Sequence, residues 1–334
     1  MKHPGSLHRR LFSVATALSA AFLILPVKAS VTITRTNYHS WPEAYLISNG
    51  RAFAMVVPAI GRVMQFGFVG EEGVFWENRA LDGRVADGQL LVWAAKDWVN
   101  FGGDKSWPAP EADWNLFTGR KGWRPPIAFD GWPAEVRISG NTLALLSPVD
   151  PFYGMRAERR IRLHSRKPEM TITTVYTRVE GPPAAIGVWV ITQLKEPAGL
   201  FAPLPAKSVF PESFVLLGQG PPPSLKVDKG LLSLTRNTAA AHKIGLDADS
   251  LLWVGEKNVL RIESSRVSRA TYPDKGSSTE IYTNPDPLPY VELETLGPLR
   301  QMKPGDKIER SNTYILSRRS KPTPEAEARA ILRR

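Results

Sequence analysis

Three stretches of this 334-residue chain carry side chains able to do chemistry. Residues 100–110 read NFGGDKSWPAP, in which Asn100, Asp104 and Lys105 can hydrogen-bond hydroxyls in both directions and Trp107 offers a flat apolar face. That combination suits a sugar ring better than a phosphate or a base. Gly102 and Gly103 permit positive φ, and Pro108 and Pro110 hold the return path extended, so a stiff loop is expected here. A structural loop in which Asp104 and Lys105 merely pair is the plainer alternative. The second stretch, residues 279–299, reads TEIYTNPDPLPYVELETLGPL. In strands, Glu292 and Glu294 share a face, Glu280 and Tyr282 share another, and the short link at 284–289 makes the two strands hairpin neighbours. Such carboxylates raise one another's pKa and persist with a proton, a cation or a lysine at hand, or else form a solvated face opposite Lys and Arg. The third is AAHKIGL, where His242 and Lys243 open a strand. A lone histidine there serves either structure or proton transfer.

The elements that must position these residues are short β segments. Runs rich in β-branched and aromatic residues at 31–36, 45–48, 52–57, 62–68 and 74–77 alternate with Asn-Gly and Gly-rich turns, and the pattern resumes from 134 to 317. Within 155–163, Arg156, Glu158, Arg160 and Arg162 fall on one face and Ala157, Ile161 and Leu163 on the other, with Arg159 an exception on the apolar side. The spacing predicts a half-buried strand with a solvated arginine row. Residues 81–131 have little periodicity and hold Trp93, Trp98, Trp107, Trp114 and Trp123, which marks an irregular insertion packed on a sheet. Thr323 as N-cap, Pro324 and two early acids predict a helix in the tail. The expected organisation is a leader at 1–29, an all-β domain of two large antiparallel sheets at 30–317 and a basic helical tail at 318–334.

Composition narrows the function classes. Lys2, Arg9 and Arg10, an apolar run at 11–25 and Val27-Lys28-Ala29 spell a secretory signal peptide, so export to a periplasm or to the outside is expected, by a general or a twin-arginine route. No transmembrane segment is expected in the mature chain. The absence of cysteine removes disulfides and thiolate metal sites. The net charge of +11 resides mainly in the leader and tail, leaving a body near +3 without the basic stripe that nucleic acid requires. No G-x-S-x-G elbow, H-E-x-x-H, P-loop or EF-hand loop is present, so nothing points to NAD, ATP or zinc.

The succession WPEAYLISNG (41–50), PAIGRVMQFGF (58–68), NFGGDKSWPAP (100–110), WRPP (123–126), HKIG (242–245), YPDKG (272–276), EIYTN (280–284) and YVELETLGPL (290–299) resembles a family of exported bacterial proteins of unknown function. Its members are similar to the galactose-mutarotase (aldose 1-epimerase) superfamily. The resemblance implies a β-supersandwich with a short C-terminal helix, whose concave sheet binds carbohydrate, with Arg62 on an early Gly-Arg strand and a carboxylate late in the fold. It also implies general acid–base chemistry by a glutamate and a histidine, but the superfamily's His motif is absent and NFGGDKSWPAP stands in its place. The first expectation is therefore a sugar site made by Arg62, Asn100, Asp104, Lys105, Trp107, Lys243 and Tyr282. The second is an epimerase-like or lyase-like enzyme with Glu280, Glu292 or Glu294 as base and His242 or Lys243 as acid. A third is calcium held by Glu280, Glu292 and Glu294, and a fourth a non-catalytic or partner-binding sandwich. The sugar and the oligomeric state stay open.

Overall fold

The computed structural model describes Met1 and residues 30–85, 99–119, 123 and 125–333. The leader expected at 1–29, Trp93 and Trp98 lie outside the described residues. The strands are β1 (Thr32–Tyr38), β2 (Trp41–Ser48), β3 (Ala52–Val57), β4 (Arg62–Phe68), β5 (Asp104–Ala109), β6 (Glu135–Ser139) and β7 (Thr142–Leu146). They continue with β8 (Met155–Leu163), β9 (Glu169–Arg178), β10 (Ala184–Lys195), β11 (Gly199–Pro203), β12 (Val215–Leu216), β13 (Lys226–Asp228) and β14 (Leu231–Leu234). The last are β15 (His242–Leu246), β16 (Ser250–Val254), β17 (Asn258–Glu263), β18 (Thr279–Thr283), β19 (Tyr290–Leu296), β20 (Arg300–Met302) and β21 (Lys307–Arg318). Three short helices, α1 (Trp114–Thr118), α2 (Ile127–Asp130) and α3 (Pro324–Leu332), complete the described elements of regular length.

These strands form two antiparallel sheets. One has eleven strands in the order β1-β2-β3-β4-β5-β10-β19-β18-β15-β12, with β20 also on β10, and the other ten in the order β13-β14-β11-β16-β17-β21-β9-β8-β7-β6. Inward-facing aliphatic residues of both, such as Ile161 and Ile172 from one and Ile281 and Leu293 from the other, make the principal core. This is the face-to-face packing that period-two alternation demands. In β8 the odd-numbered residues are buried and Arg156, Arg160 and Arg162 are exposed. Helix α3 caps its N-terminus with the Thr323 hydroxyl, which accepts from Ala326 N at 3.2 Å, and packs Ala328 against Phe201 and Leu252. Among the described residues no helix is long and apolar enough to cross a membrane.

The stretch expected to be a stiff loop is a buried strand instead. Residues Asp104–Ala109 pair along their length with β10, from Thr192↔Asp104 to Gly187↔Ala109, and every one of them is buried. On its other flank β5 meets β4 through Val63↔Asp104 alone, so Pro108, with no N–H to donate, is tolerated where little ladder exists. The two glycines before it are demanded by close approach. A Cβ on Gly102 (φ +89°) would lie 2.3 Å from Trp76 O, and one on Gly103 (φ +74°) 2.6 Å from Val63 O.

Because side chains alternate, Asp104 points into the seam between the sheets, where it is fully buried. Its carboxylate is paired with the Arg159 guanidinium and accepts from the Tyr314 hydroxyl at 2.5 Å and the Thr192 hydroxyl at 2.6 Å. Arg159 also donates to Asp104 O at 2.9 Å. Burial and the adjacent carboxylate push the Tyr314 phenol well above its ordinary range, which keeps it a donor. The odd arginine of β8 thus has a partner on the opposite sheet. Removing one member of a buried pair strands the other, at a cost of ~3–5 kcal/mol. Asp104→Asn should therefore lose about that much stability in urea unfolding, and the double variant Asp104→Leu/Arg159→Met should recover most of it; an Asp104→Asn variant as stable as the parent contradicts the assignment.

Candidate functional site

Five adjacent strands, β5, β10, β19, β18 and β15, build a charged band on the face of the eleven-stranded sheet that turns away from the main core. Register sets it in rows. Lys105, Ile191, Glu294 and Glu280 stand opposite one another in sequence across four strands. Gln193, Glu292, Tyr282 and Lys243 form the adjacent row, and Trp107 and Trp189 a third. Residues two apart on a strand share a face, so all of these side chains project together.

Lys243 is the hub of the first group. Its Nζ lies 2.7 Å from Glu280 Oε2 and 3.1 Å from Glu294 Oε2, and 4.4 Å above the centre of the Trp189 ring. Trp189 Nε1 donates to the same Glu294 oxygen at 2.6 Å. Burial pulls the lysine down, but the two carboxylates outweigh it and hold the ammonium well above its usual value. Glu280, fully buried, is pushed well above the carboxylate range by burial, despite Lys243. Asp274 lies against Glu280 and is raised by its own burial, against the pull of Lys243. Asp274 and Lys275 hold left-handed backbone (φ 47° and 62°), a strained turn that delivers the carboxyl. Glu111, on the segment before α1, also bonds Trp123 and is raised by burial with help from Glu294 and Asp274.

A second group surrounds Asp130 at the end of α2. Its Oδ1 accepts from Arg62 Nη2 at 2.8 Å and Trp107 Nε1 at 2.9 Å, and Lys105 Nζ lies 3.6 Å away. Lys105 Nζ also sits 3.8 Å over the Trp107 ring. Burial lowers the Lys105 pKa to about 8, against the pull of Asp130. Between the groups stands Glu292, part-exposed and accepting from Gln193 Nε2 at 2.7 Å. Burial first, and the Glu294 charge second, push it up to about 7. Two aromatic clusters flank the band. Trp107 meets Trp114, Trp123 and Trp189 edge-on at 5.3–5.6 Å, and Trp76, Tyr290 and Tyr282 follow one another at 4.6 and 6.2 Å on the other side. Trp123 is 42% exposed.

The structure brings Glu280, Glu292, Glu294, Lys105, Lys243 and Tyr282 together and separates the remaining candidates. Asp104 faces the inter-sheet seam, because it precedes Lys105 by one residue. His242 is likewise on the opposite face from Lys243; it is buried, with Nε2 2.9 Å from Asn237 Nδ2 and Nδ1 3.3 Å from Gly220 O. It cannot act on a ligand held by the acids. Arg62 is fully buried and donates to Gly102 O at 2.8 Å and to Asp130, which makes it the clamp on the loop rather than a ligand contact. Trp107 is only 4% exposed and lends its ring to Lys105, so it cannot stack on a sugar. Asn100 is buried, accepts from Gly102 N at 3.3 Å and lies beside Tyr290. The cation between Glu280 and Glu294 is a lysine, and among the described residues no group of three or more His, Asp or Glu side chains is arranged to hold a metal ion. Glu111, Asp130, Asp274, Trp189 and Gln193 were not anticipated from sequence. Asp274 sits in the YPDKG segment and Trp189 in an apolar strand, and only long-range register reveals them.

A raised carboxyl leaves a signature in stability. Between about 4.5 and about 7 the folded chain keeps a proton on Glu292 that the unfolded chain releases, so this group lowers stability as pH rises through that window. Glu292→Gln should remove that dependence and gain relative to the parent at pH 8 compared with pH 4; melting profiles that stay parallel would contradict the raised value.

Solved structures resemble this chain over most of its length. A galactose mutarotase-like protein from Lactobacillus casei ATCC 334 matches with a TM-score of 0.55 at 8% identity, covering 82% of this chain and 100% of its own. A galactose mutarotase-like protein from Clostridium acetobutylicum matches with a TM-score of 0.52 at 11% identity, covering 86% and 99%. The Slr1438 protein from Synechocystis sp. PCC 6803 matches with a TM-score of 0.54 at 11% identity, covering 86% and 99%. No protein-family model and no curated relative matches. Two antiparallel sheets with this ordering, and these neighbours, establish a galactose-mutarotase-like β-sandwich fold.

Proposed function

We propose that the chain is exported and binds a carbohydrate on the charged outer face of its larger sheet. The observation that carries this reading is the convergence of carboxyls and lysines from four strands, between two aromatic clusters, on one face. Hydroxyl-rich ligands need donors and acceptors in alternation, and a row of Glu292, Tyr282 and Lys243 supplies them beside exposed indole at Trp123. The likeness to galactose mutarotase-like proteins supports the same reading by fold analogy. Export rests on the basic and apolar leader at 1–29.

A second reading, proton transfer at an anomeric centre of the aldose-epimerase kind, draws on Glu292. A carboxyl pushed up to about 7 is suited to general base work near neutral pH. As base Glu292 must be ionised, so activity would rise with pH through about 7.

Calorimetry against a panel of neutral and acidic saccharides tests the binding claim. Trp123→Ala and Tyr282→Phe should each weaken affinity on the order of tenfold with little change in Tm, since both side chains are partly exposed. Absence of any saccharide binding, or unchanged affinity in both variants, would sink it. Polarimetry of galactose and glucose mutarotation tests the catalytic reading alone: Glu292→Gln should slow it by about 10²–10⁴-fold, and a rate unaffected by the wild-type protein removes catalysis while leaving binding intact.

A further inference from the structure

Between the ends of the two sheets, away from the acid–lysine face, lies a cleft of about 660 Å³. Its walls are residues 297–302, the start of β21 and residues 264–267 beyond β17. Strand β21 alternates, so Arg310, Asn312 and Tyr314 point inward. Two of them are well partnered: Asn312 bonds Ser264 at 2.6 Å and Thr295 at 2.8 Å, and Tyr314 bonds Asp104. Arg310 is not. It is 7% exposed, its Nη2 reaches Ser264 O only at 3.5 Å, its Nε has no hydrogen-bond partner, and among the described residues it enters no ion pair. Its one neutral side-chain partner is the Tyr272 hydroxyl, which accepts from it and from Val267 N at 2.8 Å, and the Tyr272 ring carries the Arg266 guanidinium 4.4 Å from its centre.

Buried guanidinium groups are retained where an anion meets them. Arg62 with Asp130 and Arg159 with Asp104 follow this rule, whereas Arg178 instead fills its fork with the carbonyls of Tyr153 and Pro182, which Arg310 does not. The carboxylates that border this cleft are engaged or turned away. Asp306 Oδ2 accepts from Lys303 N at 3.0 Å in its own turn, and Glu309 is exposed on the outer face of β21. Arg300 and Lys307 add positive charge at the mouth.

We propose that Arg310 anchors an anion site that takes a phosphate or sulfate group, either as the free ion or as a substituent on a larger ligand. The planar fork of arginine matches two oxygens of such a group, and the cleft has room for more than the ion.

The test is titration of the full chain with inorganic phosphate, read by calorimetry and by Tm, against chloride at matched ionic strength. Tm should rise with the logarithm of phosphate concentration and not with chloride. Arg310→Met should raise the phosphate Kd on the order of tenfold or more, yet melt no lower than wild type in phosphate-free buffer, because it removes an unpaired buried charge. Glucose 6-phosphate compared with phosphate separates the sources: tighter binding of the sugar phosphate assigns a substituent, equal binding the free ion. Equal responses to phosphate and chloride, or phosphate affinity unchanged in Arg310→Met, overturn the proposal. If the Met variant does not fold, Arg310→Lys keeps the charge without the fork, and unchanged phosphate affinity in it is equally decisive.

Discussion

Alternation along β5 sends two adjacent charges to opposite sides of one sheet, and most of the architecture around the site depends on that division. Asp104 goes inward and ties β5 and β10 to β8 and β21 through Arg159, Thr192 and Tyr314. Lys105 goes outward to Asp130 and the Trp107 ring. The inward charge therefore fixes the strand whose outward side chains join the charged face. A one-residue slip would exchange them, placing a lysine in the seam opposite Arg159, and the desolvation cost of that arrangement excludes it.

The outer face is short of positive charge. Glu111, Asp130, Asp274, Glu280, Glu292 and Glu294 cluster around Arg62, Lys105 and Lys243, in surroundings that disfavour ionisation. Burial first, and the neighbouring carboxylates second, raise Glu111, Asp274, Glu280 and Glu292. The same imbalance gives the face its chemical character. Groups that exchange protons near neutrality can donate to and accept from hydroxyls, and a ligand that displaces water from among them strengthens each contact.

Much of this was legible in the sequence where the controlling interactions are local. Period-two alternation and a short link place Glu280 and Tyr282 opposite Glu294 and Glu292, and the all-β sandwich follows from many short strands. Arg159 was visible only as an exception on the apolar face of its strand. Its partner was not visible, because Gly102, Gly103, Pro108 and Pro110 give Asp104 the local signature of a loop, and pairing with β10, distant in sequence, overrides it. The same distance hid Glu111, Asp130, Asp274 and Trp189, which reach the band through tertiary register rather than any motif. His242 and Lys243 show the limit in the smallest form: residue identity named both, and only the face of the strand separates them.

Saccharide binding, as proposed, takes place on the face where Glu292 holds its proton. Carboxyl-carbon NMR titration of the full chain, with Glu292→Gln to assign the signal, measures this directly. The expected result is an apparent midpoint of about 7 that moves when a binding saccharide is added. A midpoint at the ordinary 4.5, indifferent to saccharide, would contradict it.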